Sequence, residues 1–209
     1  MHTDITGVVL AGGQSRRMGL NKSLLPLGPT TVIERITRLM QSLFSRVLLS
    51  TNSPEEYLFL GLDCIADELE NIGPLAGIHA GLVRSATPKV FVISCDVPLM
   101  RADIIEFLIA YPTARPITVA SADGFIQQLC GVYSQAVLPD LERIFQTALG
   151  HCRQEGKQRC PVLELVHAVQ AEIIDIESVY RDYRKGAFYN MNNRQDYQYI
   201  QTLSLAPND

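Results

Sequence analysis

The segment ITGVVLAGGQSRRMGLNK, residues 5–22, sets the reading of everything after it. Ile5 to Leu10 is apolar, rich in β-branched residues and uncharged, which predicts a buried strand. Two glycines, Gly12 and Gly13, follow almost at once, then Ser15, Arg16, Arg17, Gly19 and Lys22. A strand running into a Gly-rich basic loop predicts a phosphate cradle. Glycine lets the backbone approach an anion and aim N–H groups at its oxygens. Arginine grips phosphate with a two-pronged fork, and lysine acts as a point charge. The plainer alternative is a surface loop whose charges are merely solvated. Two common motifs are excluded: Gly19 is followed by Leu20 rather than the Lys of a P-loop, and Gly12-Gly13-Gln14-Ser15-Arg16-Arg17 lacks the G-x-G-x-x-G spacing of dinucleotide folds.

The rest of the chain alternates strands and helices. Thr31 opens a helix with Glu34 three residues on, a capping box, and Val32, Ile33, Ile36, Leu39, Met40 and Leu43 recur at helical spacing. Strands are expected at 47–50 (VLLS), 62–66 and 90–94 (VFVIS). Helices are expected from Ser53-Pro54, from the glycine-rich stretch 71–81 to about Ala86, and over 102–110. This rhythm predicts an α/β fold, a three-layer α/β/α sandwich around a mostly parallel, Rossmann-like sheet. Beyond it, 117–120 and 129–133 read as strands and 136–149 as a helix. Residues 150–159 read as a charged, mobile stretch, 160–169 as helical and 172–176 as a strand. A last helix spans about 194–203. One domain is expected over 1–209, with the regular strand–helix alternation ending near residue 110.

Composition narrows the class. At 47% hydrophobic the chain is that of an ordinary globular protein. Its 22 acidic residues outnumber 18 basic ones, opposite to the balance of a nucleic-acid-coating protein, so the basic residues near the N-terminus point to local anion binding. Neither a secretory signal nor a membrane-length apolar run is apparent. Cys64, Cys95, Cys130, Cys152 and Cys160 are odd in number and show no zinc or C-x-x-C spacing, so reduced thiols in a cytoplasmic protein are expected. The four histidines are scattered.

In an open parallel sheet, ligands bind beyond the carboxyl ends of the strands. The loop after Leu10, the turns at Asn52 and Asp67, and the turn at Asp96 should meet there. Asp96 ends an apolar strand, where a carboxylate suits a magnesium ion that also takes phosphate oxygens; a capping or turn role beside Pro98 is the alternative. Asp67 lies in an acidic run with Glu68 and Glu70, which could equally be a solvated face. Gly73, Gly77 and Gly81 could serve packing and turn geometry.

LAGGQSRRMGLNKSLLPLG closely resembles the signature loop of the sugar-nucleotidyltransferase-like superfamily and, within it, the molybdenum cofactor guanylyltransferases, with the pattern L-A-G-G-x-S-x-R-M-G-x-D-K-x-L. Pyrimidine-using relatives more often carry L-A-A-G. Asn21 departs from the pattern's Asp. NIGPLAGI (71–78) resembles the family's G-P-L-A-G-[IL], SCDVPLM (94–100) its C-D-x-P segment, and FYNMNNRQDY (188–197) its F-x-N-[VI]-N-T-P-E-D-L, with Asn193-Arg194-Gln195 in place of Thr-Pro-Glu.

The resemblance implies magnesium-dependent transfer of GMP from GTP to molybdenum-bearing molybdopterin, with release of pyrophosphate. It implies GTP contacts from Leu10, Ala11, Gly12, Gly13, Lys22, Asn52, Asp67 and Asp96. Catalytic roles fall to Arg16, Lys22 and Asp96, the metal to Asp96, and the acceptor side or the metal to Asn190 and Asn192. Contact with molybdoenzyme maturation proteins is also implied. The competing readings are a cytidylyltransferase for molybdopterin, a nucleotidyltransferase acting on a sugar or alcohol phosphate, and a nucleotide-binding regulatory protein without catalysis.

Overall fold

The computed structural model describes residues 1–12, 21–67, 72–155 and 161–205, and side chains at all of these except 148–155, 204 and 205. Strand β1 (Ile5–Leu10) is buried at every position. A small antiparallel ribbon, β2 (Pro26–Leu27) with β3 (Thr30–Thr31), leads into helix α1 (Val32–Leu43). The predicted capping box is present: the Glu34 carboxylate accepts from the Thr31 N–H at 2.7 Å, and the Glu34 N–H donates to the Thr31 hydroxyl at 3.3 Å. β4 (Val47–Ser50) follows, then the helix expected from Ser53-Pro54, which is of 3-10 type (Pro54–Leu60), then β5 (Asp63–Ile65). α2 (Pro74–Arg84), β6 (Lys89–Ser94) and α3 (Ala102–Ala110) complete the first half.

The second half departs more from expectation. The two short strands predicted there are longer and form a hairpin, β7 (Ile117–Ala122) and β8 (Phe125–Ser134). Its two-residue turn is Asp123-Gly124, at φ 52° and 79°. Positive φ at both positions matches the twist of flanking strands, which is why Asp-Gly is favoured there. α4 (Leu138–Glu155) continues as helix through part of the stretch read as mobile. α5 (Val162–Ala168), β9 (Glu172–Asp175), a single turn α6 (Ile176–Val179) and α7 (Arg194–Leu205) end the described chain.

The main sheet has the order β5-β4-β1-β6-β8-β7-β9. β1 pairs in parallel with β4 and β6, β4 with β5, and β7 with β9, while β8 runs antiparallel between β6 and β7. The sheet is therefore mostly parallel, with one reversed strand inside it. Both faces are covered, as parallel sheets require. Side chains alternate: Ile5, Val9, Phe91 and Ile93 pack with α1 and α3, whereas Val8, Leu10, Val90 and Val92 pack with α2, α4 and α5. β6 pairs with β8 only as far as Ile93↔Cys130, so residues 125–129 run on past the β6 tip. The β7–β8 ladder is irregular at this level, between Val119 and Ser121, and such bulges re-aim strands beside sites. Cys64, Cys95 and Cys130 are free thiols; Cys152 and Cys160 lie outside the described side chains. Among the described residues no helix is long and apolar enough to cross a membrane.

Candidate active site

Pairing persists to the very tips of four neighbouring strands. The Ala11 N–H donates to the Ser50 carbonyl at 2.9 Å, the Cys95 N–H to the Leu10 carbonyl at 3.1 Å, and the Thr51 N–H to the Ile65 carbonyl at 2.9 Å. The chain therefore leaves the sheet at one level at Ala11, Asn52, Asp67 and Asp96, and the predicted residues are gathered along one edge.

Asn52 and Asp67 face each other. The Asn52 amide donates to the Asp67 carboxylate at 3.2 Å, and its carbonyl oxygen accepts the Asp67 N–H at 2.9 Å. The buried Ser50 hydroxyl donates to the other carboxylate oxygen at 3.5 Å. Burial raises the Asp67 carboxyl above its ordinary range, and the bonds from Asn52 and Ser50 oppose that rise. Asp67 is thus held, not free on a solvated face.

The glycines of the GPLAG segment have structural reasons. Gly73 has φ 92° just before Pro74 opens α2. A Cβ on Gly77 would lie 2.6 Å from Ser50 Oγ, 3.0 Å from Leu10 Cδ2 and 3.6 Å from Asp67 Oδ1. The packing reading of Gly77 therefore holds, and it also brings α2 against the strand tips. Gly77→Ala is expected to cost about 1–3 kcal/mol through overpacking and to loosen the Ser50–Asp67 contact. Thermal unfolding and nucleotide affinity check it together; wild-type values for both would mean that α2 shifts at no cost.

Asp96 has a different environment. Its Oδ1 is buried without a hydrogen-bond partner among the described residues. Burial pushes its carboxyl upward, opposed by the Ser94 hydroxyl, its own backbone N–H and the charge of Lys22. A buried oxygen with no partner is costly, so a cation or a hydrogen-bond donor at Oδ1 would offset that penalty. The turn beyond it is braced by Arg35 of α1, whose Nε donates to the Pro98 carbonyl at 2.8 Å.

The C-terminal asparagines reach this place through the backbone. The Met191 N–H donates to the Asp96 carbonyl at 2.8 Å, and the Met191 side chain is buried with Leu27, Val32 and Ile200. Asn190 and Asn192 stand exposed on either side of it, and neither amide side chain has a partner among the described residues. The helix cap is the next residue: Asn193 Oδ1 accepts from the N–H groups of Gln195 and Asp196, at 2.8 and 3.0 Å, while the Asp196 carboxylate accepts those of Asn192 and Asn193. Asn at this position therefore caps α7 as Thr would, so the Asn-Arg-Gln departure leaves the segment's geometry intact.

Leu10 and Ala11 close β1, and Gly12 is exposed beyond them. Lys22 opens a short 3-10 turn (Lys22–Leu24), close enough for its charge to act on Asp96. Gly13 and Arg16 lie outside the described residues. Sequence reasoning missed Ser50 and Ser94, although each is the polar residue closing an apolar strand. It also missed Tyr57, which nothing in the EEYLFL stretch marks out.

A mixed sheet with one reversed strand, its loops gathered at the tips of β1, β4, β5 and β6, and a C-terminal segment bonded back onto Asp96 has the architecture of a nucleotidyltransferase. Residues 7–159 match the MobA-like NTP transferase domain. A probable molybdenum cofactor guanylyltransferase of Carboxydothermus hydrogenoformans is 32% identical over 196 residues, 93% of this chain and 94% of that protein. One from Pelotomaculum thermopropionicum is 30% identical over 193 residues, 91% of this chain and 89% of that protein. The crystal structure of molybdopterin-guanine dinucleotide biosynthesis protein A from Archaeoglobus fulgidus superposes with a TM-score of 0.76 at 20% identity, covering 95% of this chain and 98% of that one, a likeness of fold. The chain belongs to the MobA-like NTP transferase family and is a nucleotidyltransferase.

Proposed function

We propose that the chain transfers GMP from GTP to molybdenum-bearing molybdopterin, giving the guanine dinucleotide and pyrophosphate. The observation that carries the reading is the buried Asp96 Oδ1, which has no partner among the described residues, with the Asn190–Asn192 segment bonded to the same residue's carbonyl. Relatives named as guanylyltransferases that align over nine-tenths of the chain support the choice of reaction.

The chemistry needs no protein nucleophile. The acceptor's terminal phosphate attacks the α-phosphorus of GTP, and pyrophosphate leaves in line, so the protein's work is positioning and charge neutralisation. Backbone N–H groups of Gly12 and Gly13 cradle phosphate beyond Leu10 and Ala11. Asn52 and Asp67, locked to each other, present a rigid edge to the nucleoside. Lys22 and Arg16 offset charge as pyrophosphate departs. Asn190 and Asn192, whose amides have no partner among the described residues, stand on the acceptor side of Asp96. The first half of the chain, to about residue 110, thus holds the nucleotide, and the second half supplies the acceptor side.

Asp96 would hold a magnesium ion. Among the described residues no group of three or more His, Cys, Asp or Glu forms a metal cage. The single orphaned carboxylate oxygen suits magnesium, which usually takes one or two carboxylates and completes its shell with substrate phosphates and water. When bound, the ion neutralises phosphate charge and polarises the α-phosphoryl group.

The test is pyrophosphate release with each of four nucleoside triphosphates, with and without magnesium and acceptor. GTP is expected to be preferred. Guanine carries N1–H and N2–H donors, and a base lacking them would leave buried acceptors unpaired, at roughly 1–3 kcal/mol each. CMP incorporation equal to or above GMP in a four-way competition would replace the guanylyl reading with the cytidylyl one.

A further inference from the structure

Lys22 sits between two residues that belong to a closed ring of hydrogen bonds. The Asn21 amide Nδ2 donates to the Tyr57 hydroxyl at 2.8 Å, the Tyr57 and Ser23 hydroxyls are 3.0 Å apart, and Ser23 Oγ donates to Asn21 Oδ1 at 2.7 Å. The donors can be assigned. The Ser23 backbone N–H also donates to Asn21 Oδ1, at 3.1 Å, which fixes the orientation of the amide. The Ser23 proton is committed to Asn21, so the Tyr57 hydroxyl gives its one proton to Ser23 at 3.0 Å, the nearer of its two acceptors, ahead of the Ala11 carbonyl at 3.5 Å. Each member then donates once and accepts once around the ring, an arrangement in which every bond polarises the next.

The ring has two outward contacts. The second Asn21 N–H goes to the Glu56 carboxylate at 2.7 Å, and the Tyr57 hydroxyl lies 3.5 Å from the Ala11 carbonyl. Tyr57 is 3% exposed, and its burial raises the hydroxyl's pKa, against the pull of Asn21 and Ser23, so it stays protonated as the ring requires. One buried hydroxyl on the 54–60 segment therefore touches both the end of β1 and the residues on each side of Lys22.

We infer that Tyr57, acting through Asn21 and Ser23, is a positioning residue that sets Lys22 for the reaction; this rests on the role proposed above for Lys22. It also accounts for Asn21, where the family pattern has Asp. An aspartate has no proton to give to Tyr57 or Glu56, and it would place a second carboxylate at hydrogen-bond distance from the Glu56 carboxylate. The amide at 21 and the acid at 56 form a matched pair.

The experiment is a double-mutant cycle read by single-turnover nucleotidyl transfer, GTP affinity and thermal unfolding. Tyr57→Phe keeps the buried ring and removes only the hydroxyl. Its chemical rate is expected to fall about tenfold with GTP affinity within about twofold, and the same change in a Lys22→Ala background should cost less than about twofold. Asn21→Asp should slow the wild type comparably, and adding Glu56→Gln should restore much of the rate, because the glutamine amide can donate where the glutamate repelled. Equal losses from Tyr57→Phe in both backgrounds would show a purely structural role and overturn the inference. So would a wild-type rate for Tyr57→Phe, or an Asn21→Asp defect that Glu56→Gln leaves untouched. If Tyr57→Phe does not fold, the Asn21→Asp and Glu56→Gln pair decides alone. A parent chain that transfers no nucleotide overturns the functional reading, and this inference with it; an active parent with an indifferent Tyr57 overturns this inference only.

Discussion

Asp96→Asn is expected to fold normally and to lose on the order of a hundredfold or more in turnover. The two halves of this result share one cause. Asp96 Oδ1 is buried without a partner among the described residues, and burial disfavours its charged form. A neutral amide of the same shape removes that cost, so the melting temperature should stay level or rise. The same neutrality makes it a poor ligand for the magnesium ion proposed above. Sites commonly carry this conflict between local stability and function. Steady-state turnover across a magnesium titration, with thermal unfolding on the same sample, checks it. Wild-type turnover with an unchanged magnesium requirement would reduce Asp96 to a turn residue beside Pro98.

Lys22→Ala should slow the chemical step by about a hundredfold while weakening GTP binding by much less. The asymmetry follows from where charge appears. GTP brings its negative charge to the ground state, but departing pyrophosphate gathers more of it at the bond being broken. A cation held against that position stabilises the transition state selectively. Lys22 has the means to be so held, because its charge acts on Asp96 and its neighbours Asn21 and Ser23 are both tied to Tyr57. Single-turnover rate and GTP dissociation constant must be measured separately. An unchanged chemical rate with a large loss of affinity would assign Lys22 to ground-state binding.

Asn21 and Asn193 both differ from the family pattern, and in both cases the departure is absorbed locally. Asn193 caps α7 by accepting the same kind of N–H bonds that a Thr would accept. Asn21 caps the turn that carries Lys22 and adds two donations no carboxylate can make. Neither substitution removes a group from the edge where Asp67 and Asp96 stand.

Features written in neighbouring residues were legible without the structure. ITGVVL, VLLS and VFVIS are uncharged, mostly apolar runs, and they are β1, β4 and the body of β6. Thr31 and Glu34 stand three apart, and that spacing alone makes a capping box. Asp96 stood out as the charge ending a buried run. Asp123-Gly124 is equally legible as a hairpin turn, whereas apolar runs alone mark strands shorter than β7 and β8. Partner choice is another matter. Nothing near β8 says that it enters the sheet reversed between β6 and β7, nor that Met191 bonds to Asp96, Asn52 to Asp67, or Tyr57 to the flanks of Lys22. Local propensity and periodicity are properties of adjacent side chains. A bond between residues distant in the chain forms only after both sheet faces are buried and the loops have been brought to one edge, and that packing is decided by the whole chain at once.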